Sequence, residues 1–315
     1  MQEHTTTGRI LRGVGGLYTV LLDGVPAETV SCRARGLFRL REITPLPGDR
    51  VALAVGDGAD GEAANTDDIM IAEIIDRRSA LIRPPLANLD YLFVTLAAAK
   101  PTPVLETVDK LTAIADHNGI EPVIVIGKRE LNPAEADCIA DIYRTAGFAA
   151  FPLSCHTGEG IDALRGYIDQ NLPGKIAAFA GASGVGKSTL LTTLFPTLDL
   201  ATGGLSRKIE RGRHTTRHVE LYPLPVGGGT AFLADTPGFS MLDFARFDFF
   251  TLDDLPTAMR DLAPYLGRCR YTDCTHLCEE GCAIVEAVAR GDIPPSRHES
   301  FRALYAVLKE KKAWK

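Results

Sequence analysis

Residues 181–189 read Gly-Ala-Ser-Gly-Val-Gly-Lys-Ser-Thr, which fits the spacing GxxxxGK[ST]. The apolar run Ile176–Ala180 precedes them and a helix-like stretch, Thr189–Leu194, follows, giving the strand–loop–helix setting that the motif needs. Gly181, Ala182, Ser183, Gly184, Val185 and Gly186 form a loop whose small residues let backbone N–H groups turn inward around phosphate oxygens. In such a loop Lys187 reaches the β- and γ-phosphates, Ser188 ligates Mg²⁺, and Thr189 opens the helix. The chemistry is nucleoside triphosphate binding and phosphoryl transfer.

Downstream, the short apolar strand Phe232–Ala234 ends in Asp235-Thr-Pro-Gly238. An acidic residue at a strand end, three before a glycine, suits Mg²⁺ contact plus an amide given to the γ-phosphate. Between the two motifs lies the basic loop Arg211-Gly-Arg-His-Thr-Thr-Arg217. Of its hydroxyls, Thr216 is the expected Mg²⁺ ligand and Thr215 the alternate. Phe239 stands just after the glycine, where Ras-type enzymes use a Gln to orient the attacking water, so slow unaided turnover is expected. His214 is the candidate for orienting that water once a partner orders the loop, its alternative being a surface imidazole against RNA or backbone. The catalytic set is thus His214, Lys187, Asp235 and Thr216.

GTPases read guanine with an NKxD-like and an SA-like segment, both ordinarily C-terminal to the phosphate loop. Here the matching segments come before it. Gly127-Lys128-Arg129-Glu130 closes the apolar strand Val123–Ile126, and Ser154-Cys155 opens a Ser-Cys-His-Thr-Gly-Glu-Gly loop after the next. That order is a circular permutation of a GTPase domain.

Cys269, Cys274, His276 and Cys282 have the spacing of a closed, structural zinc site of three thiolates and one imidazole. Cys278 leaves an all-cysteine set (Cys269, Cys274, Cys278, Cys282) also open. The remaining cysteines of the seven, Cys32, Cys138 and Cys155, are scattered, so a disulfide framework is not expected and the cytoplasm is.

These groups must be held by three kinds of structure. The first 77 residues carry five short β-like runs, Gly8–Val14, Leu17–Leu22, Glu28–Arg33, Asp49–Val55 and Ile69–Ile75, at the spacing of an OB-fold barrel. Arg33, Arg35, Arg39 and Arg41 put four arginines into nine residues, a candidate RNA surface. From Tyr91 onward apolar runs (Tyr91–Ala97, Val123–Ile126, Phe148–Leu153, Ile176–Ala180) alternate with helix-like stretches (Val104–His117, Pro133–Ala146, Gly160–Asn171), the pattern of a parallel α/β sheet. From about Phe244 the strands stop and a basic, helical tail follows the cysteines. The chain of 315 residues has 34 basic and 40 acidic side chains, net −6, so bulk charge does not mark a nucleic-acid binder. Two local patches, residues 206–217 and 296–315, each carry +4; such a tail is often only a solvated face, but with the barrel arginines they favour an RNA footprint. With a polar N-terminus and no long apolar stretch, neither a secretory signal nor a membrane span is expected.

The joint occurrence of Pro45–Val51 (PLPGDRV), SCHTGEG, GASGVGKST, RGRHTTRH, ADTPGF and the terminal Cys/His cluster resembles the RsgA-type, ribosome small-subunit-dependent GTPases of bacteria, over essentially the whole chain. The resemblance implies a multidomain protein: an OB-fold RNA-binding domain (1–77), a circularly permuted GTPase domain (78–243) and a helical zinc-binding domain (244–315). It implies late maturation of the small (30S) ribosomal subunit, with slow GTP hydrolysis stimulated by that subunit. Implied partners are the subunit with its rRNA and GTP or GDP, with one structural Zn²⁺ and Mg²⁺ beside the nucleotide, no membrane, and a monomer. It selects His276 over Cys278 for the metal. One departure stands out. The family carries Asn or Thr, then Lys, then Asp in the base-reading segment, where this chain has Gly127, Lys128 and Glu130. Guanine preference with weakened affinity is expected. The alternative function is a nucleotide-gated rRNA-binding module with little turnover or relaxed base choice. A permuted ATPase is disfavoured by SCHTGEG and Glu130.

Overall fold

A computed structural model describes residues 6–24, 28–55, 69–81, 85–196, 219–235 and 250–313. At the N-terminal end, β1 (Thr6–Val14), β2 (Leu17–Leu22), β3 (Thr29–Ala34), β4 (Arg50–Val55) and β5 (Ile69–Asp76) close into a barrel. β1 pairs with β2 and β4, β2 with β3, and β4 with β5, all antiparallel, while β3 meets β5 in parallel. Closure removes the exposed edges that five short strands would otherwise leave. Alternation turns Ile10, Tyr18, Val20, Cys32, Val51, Leu53 and Ile71 into one core. A four-residue helix, α1 (Leu37–Leu40), interrupts the chain between β3 and β4.

The PLPGDRV segment is the hub of this part. Gly48 has φ +94°, and a Cβ there would lie 2.0 Å from the Ala87 carbonyl oxygen, so no side chain is tolerated. Its carbonyl accepts from Asn88 Nδ2 at 3.2 Å and Arg9 Nη1 at 3.3 Å. Next to it, fully buried Asp49 is held by Arg77 Nε at 2.8 Å and caps the turn by accepting from the Leu46 amide at 2.7 Å.

After a small antiparallel pair, β6 (Ala80–Leu81) and β7 (Leu86–Ala87), strands and helices alternate. The order is β8 (Tyr91–Ala97), α2 (Leu105–His117), β9 (Glu121–Gly127), α3 (Pro133–Thr145), β10 (Ala149–Pro152) and α4 (Ile161–Asn171). β8, β9 and β10 are parallel neighbours, and β8 and β9 are buried beyond their first residue, which explains their unbroken apolar sequence. Asn132 caps α3 by accepting from the Glu135 amide at 3.3 Å, with Pro133 in the first turn.

β11 (Ile176–Ala180) leads to α5 (Lys187–Leu194). β12 (Glu220–Val226) and β13 (Gly229–Asp235) form an antiparallel hairpin. β13 runs parallel to the start of β11, and β12 touches β1 at Arg12–Glu220. The chain divides into two compact units. One holds the barrel, β6–β7, the first residues of β11 and the β12–β13 hairpin; the other holds β8–β10, α2–α5 and the C-terminal part.

In that C-terminal part, α6 (Ala283–Arg290) and α7 (Pro295–Ala313) pack Ile284, Ala287, Phe301 and Leu304 with Leu255, Met259 and Leu262 into one core. Ala113 and Ile114 of α2 belong to the same core. A fully buried ionic cluster sits beside it. Arg297 forks onto Asp261 (Nε–Oδ2 3.0 Å, Nη2–Oδ1 2.7 Å) and donates from Nη1 to Asp109 Oδ1 at 2.7 Å. The Tyr143 hydroxyl donates to the same Asp109 oxygen at 2.8 Å. Burial pulls the Asp109 pKa up while Arg297 pulls it down, and burial raises Tyr143. Arg297 therefore contributes nothing to a surface patch at 296–315; one charge of the basic tail is internal.

Candidate nucleotide site and metal centre

β11 is buried along its whole length and delivers the chain to Gly181, where φ is +143°. A Cβ at Gly181 would stand 2.1 Å from the Thr95 carbonyl oxygen, so the loop can start in this place only on glycine. Gly186 caps α5 in a left-handed conformation, and the loop residues Ala182, Ser183 and Gly184 are exposed while Val185 is tucked inside. The result is a turn of accessible amides at a helix N-terminus, which favours anions. Lys187 Nζ donates to the carbonyls of Gly181 (2.6 Å) and Ala182 (2.8 Å), and burial lowers its pKa below the ordinary lysine value. Ser188, half-buried, and Thr189, exposed, occupy the first turn.

The segment expected to read the base meets this loop. Gly127 ends β9, and Lys128 follows with φ +57°. Lys128 Nζ donates to the carbonyl of Gly184 at 2.7 Å and of Lys100 at 2.5 Å, which lays its stem along the phosphate loop within 4.0 Å of where a Gly186 Cβ would be. Arg129 to Leu131 form a 3₁₀ turn that leaves Glu130 exposed at its middle. Ser154 is fully buried, its Oγ accepting from the amides of His156 (3.2 Å) and Thr157 (3.1 Å), which shapes the SCHTGEG loop. Burial, assisted by the Glu130 charge, pushes the Cys155 thiol up. Gly127 to Glu130, Ser154, Cys155 and residues 181–189 thus fall in one compact unit, with the first and last of these groups in direct contact.

Asp235 ends β13, in the other unit. His214, Thr215, Thr216, Gly238 and Phe239 lie outside the described residues, as does the side chain of Asp235. On the barrel, Arg33 and Arg41 are exposed and Arg35 is half-buried, on either side of α1, whose Leu40 is 82% exposed; the Arg39 side chain is not described.

The C-terminal cluster offers Cys269, Cys274, His276 and Cys282, whose ligand atoms all lie within 4.8 Å of one another. His276 Nδ1 is 3.4 Å from Cys269 Sγ and 3.6 Å from Cys282 Sγ. Three sulfurs and one imidazole converging in this way could hold a metal ion, and the donor set fits a tetrahedral soft-ligand site. Cys278 is exposed and outside the group. The loop is braced from within by Glu279, whose carboxylate accepts from the Thr275 hydroxyl and from the amides of Thr275 (2.8 Å), Leu277 (2.9 Å) and Cys278 (3.1 Å); burial pushes its pKa up, but the bonds from Thr275 and Cys278 help draw it down to about 2. His298 of α7 contacts the His276 carbonyl at 2.7 Å. Neither brace was foreseeable from spacing.

Fold and site together define a P-loop GTPase with a circularly permuted core, joined to an OB-like barrel and a C-terminal part able to hold a metal ion. The chain belongs to the RsgA GTPase family. Residues 74–245 match the family described as RsgA GTPase, and residues 7–62 the one described as RsgA N-terminal domain. Among curated proteins, "Small ribosomal subunit biogenesis GTPase RsgA" of Moorella thermoacetica is 40% identical over 299 residues, 95% of this chain and 96% of that one. Its namesake in Ruminiclostridium cellulolyticum is 37% identical over 303 residues, 96% and 94% of the two chains. Among solved structures, YjeQ from Thermotoga maritima is similar with a TM-score of 0.77 at 28% identity, covering 96% of this chain and 99% of that one. YloQ, titled a circularly permuted GTPase, gives 0.74 at 29% identity, covering 98% and 96%. The chain is accordingly a GTP hydrolase with a permuted core. Among the described residues no helix is long and apolar enough to cross a membrane.

Proposed function

We propose that this GTPase serves late maturation of the small ribosomal subunit, turning over slowly alone and faster on the subunit. The observation that carries the nucleotide half is the Lys128–Gly184 contact, which joins a base-reading loop to a phosphate loop in one unit. The subunit half rests on relatives that are named for its biogenesis and match over nearly the full chain.

In this reading Lys128 and Glu130 hold the guanine, with Arg129, Ser154 and Cys155 shaping the pocket. The amides of residues 181–189 hold the phosphates, and Lys187 neutralises the β/γ oxygens. Ser188, Thr216 and Asp235 are the Mg²⁺ ligands; the ion, when bound, offsets charge on the phosphates. Gly238 donates its amide to the γ-phosphate. Phe239 cannot align a water, so His214 does so on the subunit. Cys269, Cys274, His276 and Cys282 hold one Zn²⁺ that secures the C-terminal domain. Arg33, Arg35, Arg39 and Arg41 pair with rRNA phosphates, with affinity falling as salt rises. The working form is a cytoplasmic monomer of three modules, 1–77, 78–243 and 244–315.

Steady-state hydrolysis of GTP and ATP, with and without purified small subunits, tests this. Slow GTP turnover that rises steeply with the subunit, without a matching rise for ATP, is expected. No turnover of either nucleotide on the subunit would replace the reading with a nucleotide-gated RNA-binding module, which the absence of a Gln at Phe239 would then explain.

A further inference from the structure

We propose that Arg129 is a positioning residue for guanine specificity, bolting the two base-reading loops of this chain to each other. The inference rests on the assignment above of those loops to the base.

Its guanidinium joins its own turn to α3 and to the loop that carries Glu159. Nε and Nη2 fork onto Asp137 of α3, at 3.2 Å to Oδ1 and 2.8 Å to Oδ2. Nη1 donates to Glu159 Oε1 at 2.5 Å. Asp137 and Glu159 raise the Arg129 pKa, as a doubly paired guanidinium requires. The Arg129 amide also donates to the Leu153 carbonyl at 3.0 Å, so backbone and side chain both tie this residue to the segment that carries Ser154 and Cys155. Glu159 belongs to that same loop, and its carbonyl accepts from the Ser154 amide at 2.9 Å. Moving Arg129 therefore moves the frame on which Ser154 and Cys155 sit.

The chain needs such a bolt because of what flanks it. Gly127 has no side chain with which to anchor the loop. Lys128 holds a left-handed backbone that non-glycine residues rarely adopt. Glu130, the next residue, is exposed and carries one more rotatable bond than Asp, so its carboxylate samples more positions unless its backbone is fixed. A planar fork on one carboxylate, with a third N–H on another, fixes orientation in a way a lysine cannot. The ligand class it serves is a purine with an N1–H and a 2-amino group on one edge, since those donors must meet Glu130 in register.

The carboxylates are about half exposed, so the bolt is screened and its effect is a few-fold, not absolute. The test uses full-length protein and equilibrium binding of GDP, IDP (which lacks the 2-amino group) and ADP. Wild type should prefer GDP to IDP. Arg129→Ala should weaken GDP by roughly three- to tenfold and IDP by less, so that the GDP:IDP preference falls. Glu159→Ala, which cuts the bolt from the other side, should lower the preference in the same way. Arg129→Lys should restore the melting temperature but not the preference, because it keeps charge without the fork. An unchanged preference in Arg129→Ala, or an equal loss for GDP, IDP and ADP, overturns the inference. If wild type binds GDP no better than ADP, the assignment of these loops to guanine fails first and takes the inference with it.

Discussion

Lys128 reaches the carbonyl oxygen of Gly184 at 2.7 Å, across 56 residues of sequence, and ties the turn after β9 to the loop between β11 and α5. Its second acceptor, the Lys100 carbonyl at 2.5 Å, leaves the ammonium doubly held. A left-handed backbone costs a non-glycine residue about 1 kcal/mol, and these two charge-assisted bonds offset it. Lys128→Met keeps an apolar stem but removes both bonds. We expect it to weaken GTP and GDP alike by roughly tenfold, on the scale of one charge-assisted hydrogen bond. Titration with a fluorescent guanine nucleotide measures this, and wild-type affinity in the variant would show that the contact does not organise the site.

Gly127 invites the opposite experiment. Its φ lies outside the left-handed region, and a Cβ there would meet only the carbonyl oxygens of Val185 at 3.5 Å and Leu96 at 3.6 Å, ordinary contact distances. The glycine is thus not demanded by space. Gly127→Asn should fold normally and place an amide donor beside the phosphate loop, tightening GDP binding a few-fold, about the value of one neutral hydrogen bond. A destabilised or weaker-binding variant would mean that the neighbouring carbonyls cannot accept the side chain.

The buried cluster around Arg297 predicts a large stability effect. Arg297 is wholly inaccessible and joins Asp109 on α2 to Asp261, so one substitution strands two carboxylates in the interior. Arg297→Met should cost about 3–5 kcal/mol in urea unfolding, whereas Arg297→Met combined with Asp109→Asn and Asp261→Asn should regain part of that loss. Equal destabilisation by the single and triple variants would assign the cost to shape instead of stranded charge.

How legible all this was depended on range along the chain. The phosphate loop, the parallel strands and the barrel strands are written in contiguous residues, because close backbone approach and two-sided burial each impose a local pattern; the observed strands differ from expectation by at most two residues at their ends, except β13, which begins three residues before Phe232. β12 was missed. Pro223 and Pro225 argue against a strand, yet both are exposed on a segment whose other edge meets β1 only at Arg12–Glu220, where a missing N–H is tolerated. The α1 turn is too short to show a period. In sequence Arg297 reads as a surface charge because its partners Asp109 and Asp261 are 188 and 36 residues away, a pairing no local pattern encodes. The same holds for the Arg129–Glu159 pair, 30 residues apart. In contrast, the four converging donors of the C-terminal cluster fall within fourteen residues, and their spacing was informative.

That cluster yields a chemical prediction that separates its two possible ligand sets. Cys138 and Cys278 are exposed, Cys155 is half-buried with its thiol pushed up by burial, and Cys32 is buried in the barrel core with its thiol pushed up to about 11. A metal held by Cys269, Cys274, His276 and Cys282 shields three thiolates from alkylation. Iodoacetamide on the native protein should therefore label Cys138 and Cys278 quickly, Cys155 slowly, and Cys32 hardly at all, since the thiolate is the reactive form. Adding a strong chelator should release one zinc per chain and open Cys269, Cys274 and Cys282 to label, together with loss of the α6–α7 core that packs on Cys282 and Phe301. His276→Ala should lower zinc content, while Cys278→Ser should leave it unchanged. Peptide mapping that finds Cys278 protected in native protein, with zinc retained by His276→Ala, would assign the site to four cysteines instead.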